Sequence, residues 1–193
     1  ILDEEFTLPP VEHSANVSEN LPIVLGCSHA CSYCVIPHKR GRERSRAFDQ
    51  ILLEAQGLAD RGAREIVLLG QIVDRYGLDI PGSPLLHDLL RSLSQYEPIK
   101  RIRFLTSHPN WMSDALIRSV AEHPKVMPHI EVPIQAGDDE ILTAMRRGYS
   151  AESYRKLVEK LRKTIPGVSI ATDIIVGFPG ESDAAFMNTY QLL

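Results

Sequence analysis

The chain has 193 residues, 44% of them hydrophobic and 24% charged, which suits one soluble globular domain with a real core. No uninterrupted apolar run reaches membrane-spanning length, and Ile1 does not open a charged-then-apolar signal segment. A net charge of −4 gives no global reason to expect nucleic acid, although five cations (Lys39, Arg40, Arg42, Arg44 and Arg46) crowd between positions 39 and 46.

Residues 1–20 are acidic, interrupted by Pro9 and Pro10, and read as a linker or arm ahead of a domain over 21–193. Leu21 to Leu25 is a short apolar run ending at Gly26, the pattern of a buried strand. All three cysteines follow at once, as Cys27-x3-Cys31-x2-Cys34. Three thiolates on one loop can hold three corners of a cubane iron–sulfur cluster and leave the fourth iron open. A disulfide with a spare thiol is the bland alternative, and it suits secreted chains with even cysteine counts. Structural zinc would need His29 or His38 as a fourth ligand. An open-site cluster requires reducing surroundings, so a cytoplasmic location is expected.

The strand–helix unit then recurs. A helix capped by Asp49 runs to about Arg61 with Ile51, Leu52, Ala55, Leu58 and Ala59 on one face, and Gly62 ends it. Glu65 to Leu69 is a second strand, stopped by Gly70-Gln71 and followed by a helix over Leu85 to Tyr96. Strand three, Arg101 to Thr106, leads into Ser107-His108-Pro109 and a helix from Asp114 to Glu122. Strand four, His129 to Ile134, ends at Gln135-Ala136-Gly137; Asp138 and Ser150 then cap two helices. Strand five, Ser169 to Val176, gives way to Gly177, and Ser182 caps a last helix.

This alternation predicts an α/β fold with a parallel sheet, whose working residues gather at the carboxyl ends of the strands. The cysteine loop, Gly70-Gln71, Ser107-His108, Gln135 and Gly177 all follow a strand. Alternation along strands puts Arg103, Glu131, Gln135 and Asp173 on an inward face, and Arg103 is expected beside Glu131 or Asp173. Pro133 lacks a ladder donor, so strand four should bulge or end early there. Trp111 reads as a packing residue, and Tyr33 as an aromatic cover for the cluster or a bound adenine. His13, His87 and His123 read as surface residues. No P-loop, dinucleotide fingerprint or His-Glu-x-x-His is present.

The Cys27–Cys31–Cys34 spacing resembles the signature of radical S-adenosylmethionine enzymes. The wider text is similar to their methylthiotransferase branch: Cys34-Val35-Ile36-Pro37, Arg40-Gly41, Ser45-Arg46, Leu69-Gly70-Gln71, Thr106-Ser107-His108-Pro109, Pro133-Ile134-Gln135 and Asp173 to Glu181. The Arg-Phe…Thr-Ser-His-Pro wording is closer to the tRNA-modifying members. The resemblance implies a partial (β/α)6 TIM-like radical SAM barrel, truncated after about five strands. It implies a [4Fe-4S] cluster on the three cysteines and S-adenosylmethionine on the open iron. Gly70 and Gln71 would replace the glycine-rich amino-group site, with Tyr33, Ser107, Gln135, Asp173 and Gly177 around the nucleoside. The implied reaction adds a methylthio group to carbon 2 of isopentenylated adenosine beside the anticodon of tRNA, with flavodoxin or ferredoxin as electron donor. Family members carry a second cluster on an amino-terminal domain and a carboxy-terminal RNA-binding domain, neither found in this sequence. This chain by itself is therefore expected to fail at methylthiolation, and its open strand edge invites dimerisation. The alternatives are methylthiolation of a ribosomal-protein aspartate and an iron–sulfur electron-transfer module.

Overall fold

The structure is a computed structural model that describes residues 16–193. Among the described residues, seven strands and seven α-helices largely alternate, so the α/β reading holds. The first strands are β1 (Ser18–Pro22) and β2 (Val24–Leu25), with Ile23 between them instead of one run from Leu21. Ser18 to Asn20, assigned above to the arm, thus belong to β1; the rest of that arm up to residue 15 lies outside the described residues. The chain continues through α1 (Ile36–Arg40), β3 (Arg44–Ser45) and α2 (Phe48–Asp60), then β4 (Glu65–Leu69), α3 (Leu86–Gln95) and β5 (Arg101–Phe104). Next come α4 (Asp114–Glu122), β6 (His129–Glu131), α5 (Asp139–Ala144), α6 (Ala151–Thr164), β7 (Ser169–Ala171) and α7 (Asp183–Leu192).

β1, β4 and β5 form a parallel sheet in that order, and β6 pairs with β7 in parallel. The two sheets are joined without a regular ladder: Met127 N donates to Ile102 O at 2.9 Å, and Ser107 N to Glu131 O at 3.0 Å. The strands are shorter than their apolar runs. Pro133 ends β6 early, as a missing donor dictates. β7 stops at Ala171, and its run toward Val176 keeps only the isolated bridge between Ile174 and Gln135. Around that bridge Gln135 N donates to Asp173 O at 3.0 Å and Ile175 N to Gln135 O at 2.9 Å.

Outward-facing Ile66, Leu68, Ile102, Phe104, Ile130 and Val132 are buried beneath the helices. Their helix partners include Ile51, Leu58, Leu89, Leu93, Leu116 and Leu161. Four of the helix starts follow short polar caps. Ser113, Asp138, Ser150 and Ser182 each accept a backbone N–H from the first turn that follows. α2 departs from expectation, since it begins at Phe48 after Ala47 and Asp49 lies in its first turn. The opposite face of the sheets, with Arg101, Arg103 and Glu131, is left for the site. No helix among the described residues is long and apolar enough to cross a membrane.

Candidate active site at the carboxyl ends of the strands

The cysteine loop leaves β2 through Gly26, whose φ is +73°. A Cβ there would lie 2.3 Å from the Arg42 carbonyl oxygen and 2.7 Å from that of Gly41. Only glycine lets the loop's two stems approach this closely. Cys27 N then donates to Gly41 O at 3.1 Å. The far side of the loop docks on the end of α5: Ser32 N donates to Met145 O at 3.2 Å and its hydroxyl to Ala144 O at 2.8 Å.

Cys27, Cys31 and Cys34 are free thiols, which leaves the disulfide reading without support. All three line two adjoining cavities of about 150 and 620 Å³. No group of three or more His, Cys, Asp or Glu side chains among the described residues gathers around a single metal ion. Of the two histidines that zinc would need, His29 is engaged, its Nε2 accepting from Trp111 Nε1 at 3.0 Å. A cubane makes a different demand, because it seats each thiolate on its own iron. The sulfurs already receive donors suited to anionic thiolates. His29 N lies 3.4 Å from Cys27 Sγ, and Arg147 Nη1 lies 3.3 Å from Cys31 Sγ.

The smaller cavity joins the loop to the strand ends. Its lining includes Tyr33, Gln71, Thr106, Ser107, His108, Pro133, Gln135 and Arg147. Two of these residues, Thr106 (φ +66°) and Gln135 (φ +75°), sit in the left-handed region without being glycine. Ser107 Oγ and His108 Nε2 are buried and have no hydrogen-bonding partner among the described residues. His108 Nδ1 accepts from Asn110 N at 3.3 Å, which places the ring proton on Nε2. Burial, with the Arg147, His29 and Arg75 side chains nearby, depresses the His108 pKa to about 3, so the ring is a neutral donor. Orphaned buried donors on a cavity wall are what a polar ligand would satisfy.

Of the residues singled out from the sequence, Tyr33, Gln71, Ser107 and Gln135 therefore share one cavity with the three cysteines. Gly70 directly precedes Gln71, and its missing Cβ keeps the chain against Val24. Asp173 is exposed outside the lining, although its carbonyl accepts from Gln135 N at 3.0 Å. Gly177 is exposed and also outside it. Arg103 does not pair with Glu131 or Asp173. Its Nε lies 3.7 Å from Glu65 Oε2, on the neighbouring strand β4. The register explains this: Glu131 lies level with Ser107, four residues beyond Arg103. Nor does the basic run act as one unit, since Arg46 is buried and bonds Glu54 Oε2 at 2.6 Å and Pro22 O at 2.9 Å.

A second layer that the sequence did not announce supports the loop. Trp111 holds His29, Arg75 lies 4.1 Å from the centre of the Trp111 ring, and Arg75 Nε donates to buried Glu43 Oε2 at 2.6 Å. Neighbouring Asp74 is buried, and its Oδ2 accepts from His108 N at 3.0 Å. Burial raises the Asp74 pKa from 3.8 to about 7. The folded chain thus binds this proton more tightly than the unfolded one. The contribution of this one group to stability is full below pH 3.8, falls as the pH rises to about 7, and is gone above. Asp74→Asn is expected to abolish most of that fall, worth up to about 4 kcal/mol. Urea midpoints at pH 5 and pH 8 test this, and parallel pH dependence in parent and variant would refute it.

The comparisons agree with this geometry. The model of the radical SAM superfamily matches residues 21–193. A tRNA-2-methylthio-N(6)-dimethylallyladenosine synthase of a Roseiflexus species is 55% identical over 177 residues, covering 92% of this chain and 37% of that protein. One from Herpetosiphon aurantiacus is 51% identical over 189 residues, covering 98% and 42%. The chain thus spans about two fifths of these relatives. Among solved structures, the radical S-adenosylmethionine methyltransferase TsrM from Kitasatospora setae, with cobalamin and a [4Fe-4S] cluster bound, aligns over 89% of this chain and 33% of its own, with a TM-score of 0.72 and 20% identity. The cobalamin-dependent S-adenosylmethionine radical enzyme OxsB aligns over 90% of this chain and 26% of its own, with a TM-score of 0.73 and 13% identity. Those two likenesses bear on the fold; the three-thiol loop at the strand ends and the match over 21–193 together make this chain a member of the radical SAM superfamily.

Proposed function

We propose that this chain is the radical-generating core of a tRNA methylthiotransferase that acts on carbon 2 of isopentenylated adenosine beside the anticodon. The observation that carries the reading is one cavity lined by three free thiols, two orphaned polar groups and a buried guanidinium. The substrate class rests on the names of relatives about half identical in sequence. Cys27, Cys31 and Cys34 would hold a [4Fe-4S] cluster, which when bound would supply the one-electron reduction that cleaves S-adenosylmethionine.

The protein's own part is to bind and orient. Gly70 and Gln71 face the amino group of S-adenosylmethionine, and Arg147 offers its carboxylate a cation already desolvated by the fold. Ser107 Oγ and His108 Nε2 offer hydrogen bonds to the nucleoside, and Tyr33 and Gln135 close round it. Asp173 and Gly177, on the loop after β7, are the remaining candidates for contact with the nucleoside. An electron carrier of the flavodoxin or ferredoxin type supplies the reducing equivalent. Residues 1–193 span about two fifths of these relatives, so the tRNA product is to be assayed with the full-length enzyme.

Anaerobic reconstitution with iron and sulfide, followed by electron paramagnetic resonance with and without S-adenosylmethionine, tests the proposal. About four irons per chain are expected, together with a change in the reduced-cluster signal when S-adenosylmethionine is added. A signal indifferent to S-adenosylmethionine would favour the electron-transfer module instead. Product analysis with the full-length enzyme separates tRNA from ribosomal protein.

A further inference from the structure

Trp111 reads from the sequence as a packing residue, yet its indole N–H reaches the cysteine loop. The ring lines neither cavity of the thiols and borders instead a separate hollow of about 160 Å³. An indole nitrogen is a donor only, so the 3.0 Å bond from Trp111 Nε1 requires His29 Nε2 to be bare and puts the ring proton on Nδ1. His108 caps the turn Pro109–Trp111 by accepting at Nδ1 from Asn110 N, which leaves its own proton on Nε2. One short turn therefore fixes both tautomers, His29 through an indole and His108 through a main-chain N–H. The two rings lie 4.7 Å apart between centroids, and both residues line the smaller cavity. Neither His29 Nδ1 nor His108 Nε2 has a hydrogen-bonding partner among the described residues. The turn is itself pinned, since His108 N donates to Asp74 Oδ2 at 3.0 Å and Asn110 Nδ2 to Gly148 O at 3.1 Å.

We propose that Trp111 is a positioning residue for S-adenosylmethionine, acting through His29: its N–H locks the tautomer that gives His29 and His108 one free N–H each for acceptor atoms of the nucleoside. This inference rests on the S-adenosylmethionine reading above and adds what keeps the donor pair in order. The ring nitrogens of adenine accept and cannot donate, so a bare imidazole nitrogen offered to one of them binds nothing. Released from Trp111, the His29 ring would divide between two tautomers, and only the fraction protonated on Nδ1 would be competent. The lock removes that loss before the ligand arrives, which is preorganisation in its simplest form. Trp111 is held in turn by Arg75, whose guanidinium lies 4.1 Å from the centre of the indole ring.

The test is Trp111→Phe in the full-length enzyme, which keeps an aromatic face for Arg75 and removes the donor. In the cluster-free protein with ¹⁵N-labelled histidine, long-range ¹H–¹⁵N spectra should show His29 protonated on Nδ1 in the parent and divided between both nitrogens in the variant. After reconstitution the iron content should match that of the parent. The Kd for S-adenosylmethionine should rise about three- to tenfold, the worth of one hydrogen bond. Trp111→Leu should lose iron as well, because Arg75 then loses its seat beside buried Glu43, whose N–H donates to Ser28 Oγ in the loop at 3.2 Å. A Trp111→Phe protein with the parental tautomer or the parental Kd overturns the proposal. So does one that loses iron as Trp111→Leu does, since Trp111 would then serve packing alone. Failure of the unaltered enzyme to bind S-adenosylmethionine overturns the reading above and the positioning role with it.

Discussion

Gly26→Ala is expected to abolish cluster incorporation. The new methyl group would meet backbone and not a mobile side chain, at 2.3 Å from Arg42 O and 2.7 Å from Gly41 O. Two costs add. Holding alanine at a φ of +73° costs roughly 1–2 kcal/mol, and relief of the contact must push the 41–42 segment away from the loop. That movement breaks the bond from Cys27 N to Gly41 O and displaces the first thiol. Because Arg46 and Glu43, just beyond, anchor to Glu54, Pro22 and Arg75, the segment has little freedom to yield. We expect a total loss of about 3 kcal/mol or more in stability. The iron content after reconstitution should fall to that of a cysteine-less control. Full iron loading in Gly26→Ala, with an unshifted denaturation midpoint, would show that the loop stems are not closely apposed.

Arg147→Met should uncouple cluster binding from S-adenosylmethionine binding. Arg147 is buried, donates from Nε to Tyr149 Oη at 2.9 Å, and reaches Cys31 Sγ and Pro133 O with its two terminal nitrogens. Methionine fills much the same space and carries no charge. Because the three thiols remain, iron content should stay near that of the parent. Loss of a charge-assisted contact to the carboxylate is worth about 1.5–3 kcal/mol, so the Kd for S-adenosylmethionine should rise roughly tenfold to 150-fold. Loss of a cation beside Cys31 should also lower the cluster midpoint potential, since a positive neighbour favours the electron-rich state. Arg147→Lys keeps the charge without the fork and should recover the potential more fully than the affinity. An Arg147→Met protein with parental Kd and potential would remove Arg147 from the site.

Much of this architecture is visible in the sequence because it depends on local period. The apolar runs at 65–69, 101–106 and 129–134 sit where strands form, and the polar residues directly after them line the cavity. Strand lengths were less legible, since a run such as 169–176 is long enough to pair but its neighbour ends at a proline. The supporting layer was the least legible. Trp111 and His29 are 82 positions apart and Arg147 and Cys31 are 116 apart, separations at which no spacing rule operates. Arg147 did carry one signal, a cation two residues before Tyr149 in a turn leading to a capped helix, but many surface arginines share it. Arg103 failed for a specific reason: alternation identifies a face, while the offset between β5 and β6 decides which residues meet upon it.

The left-handed backbones of Thr106 and Gln135 have a consequence for anyone who would make this protein hardier. Each costs of order 1–3 kcal/mol in the folded chain. Glycine at either position would recover part of it, and a screen for thermal tolerance would select such changes readily. At Gln135 the gain would erase the side chain of a residue that lines the same cavity as the thiols. The most accessible route to a tougher protein therefore runs through its ligand pocket, and tolerance and turnover are expected to diverge there.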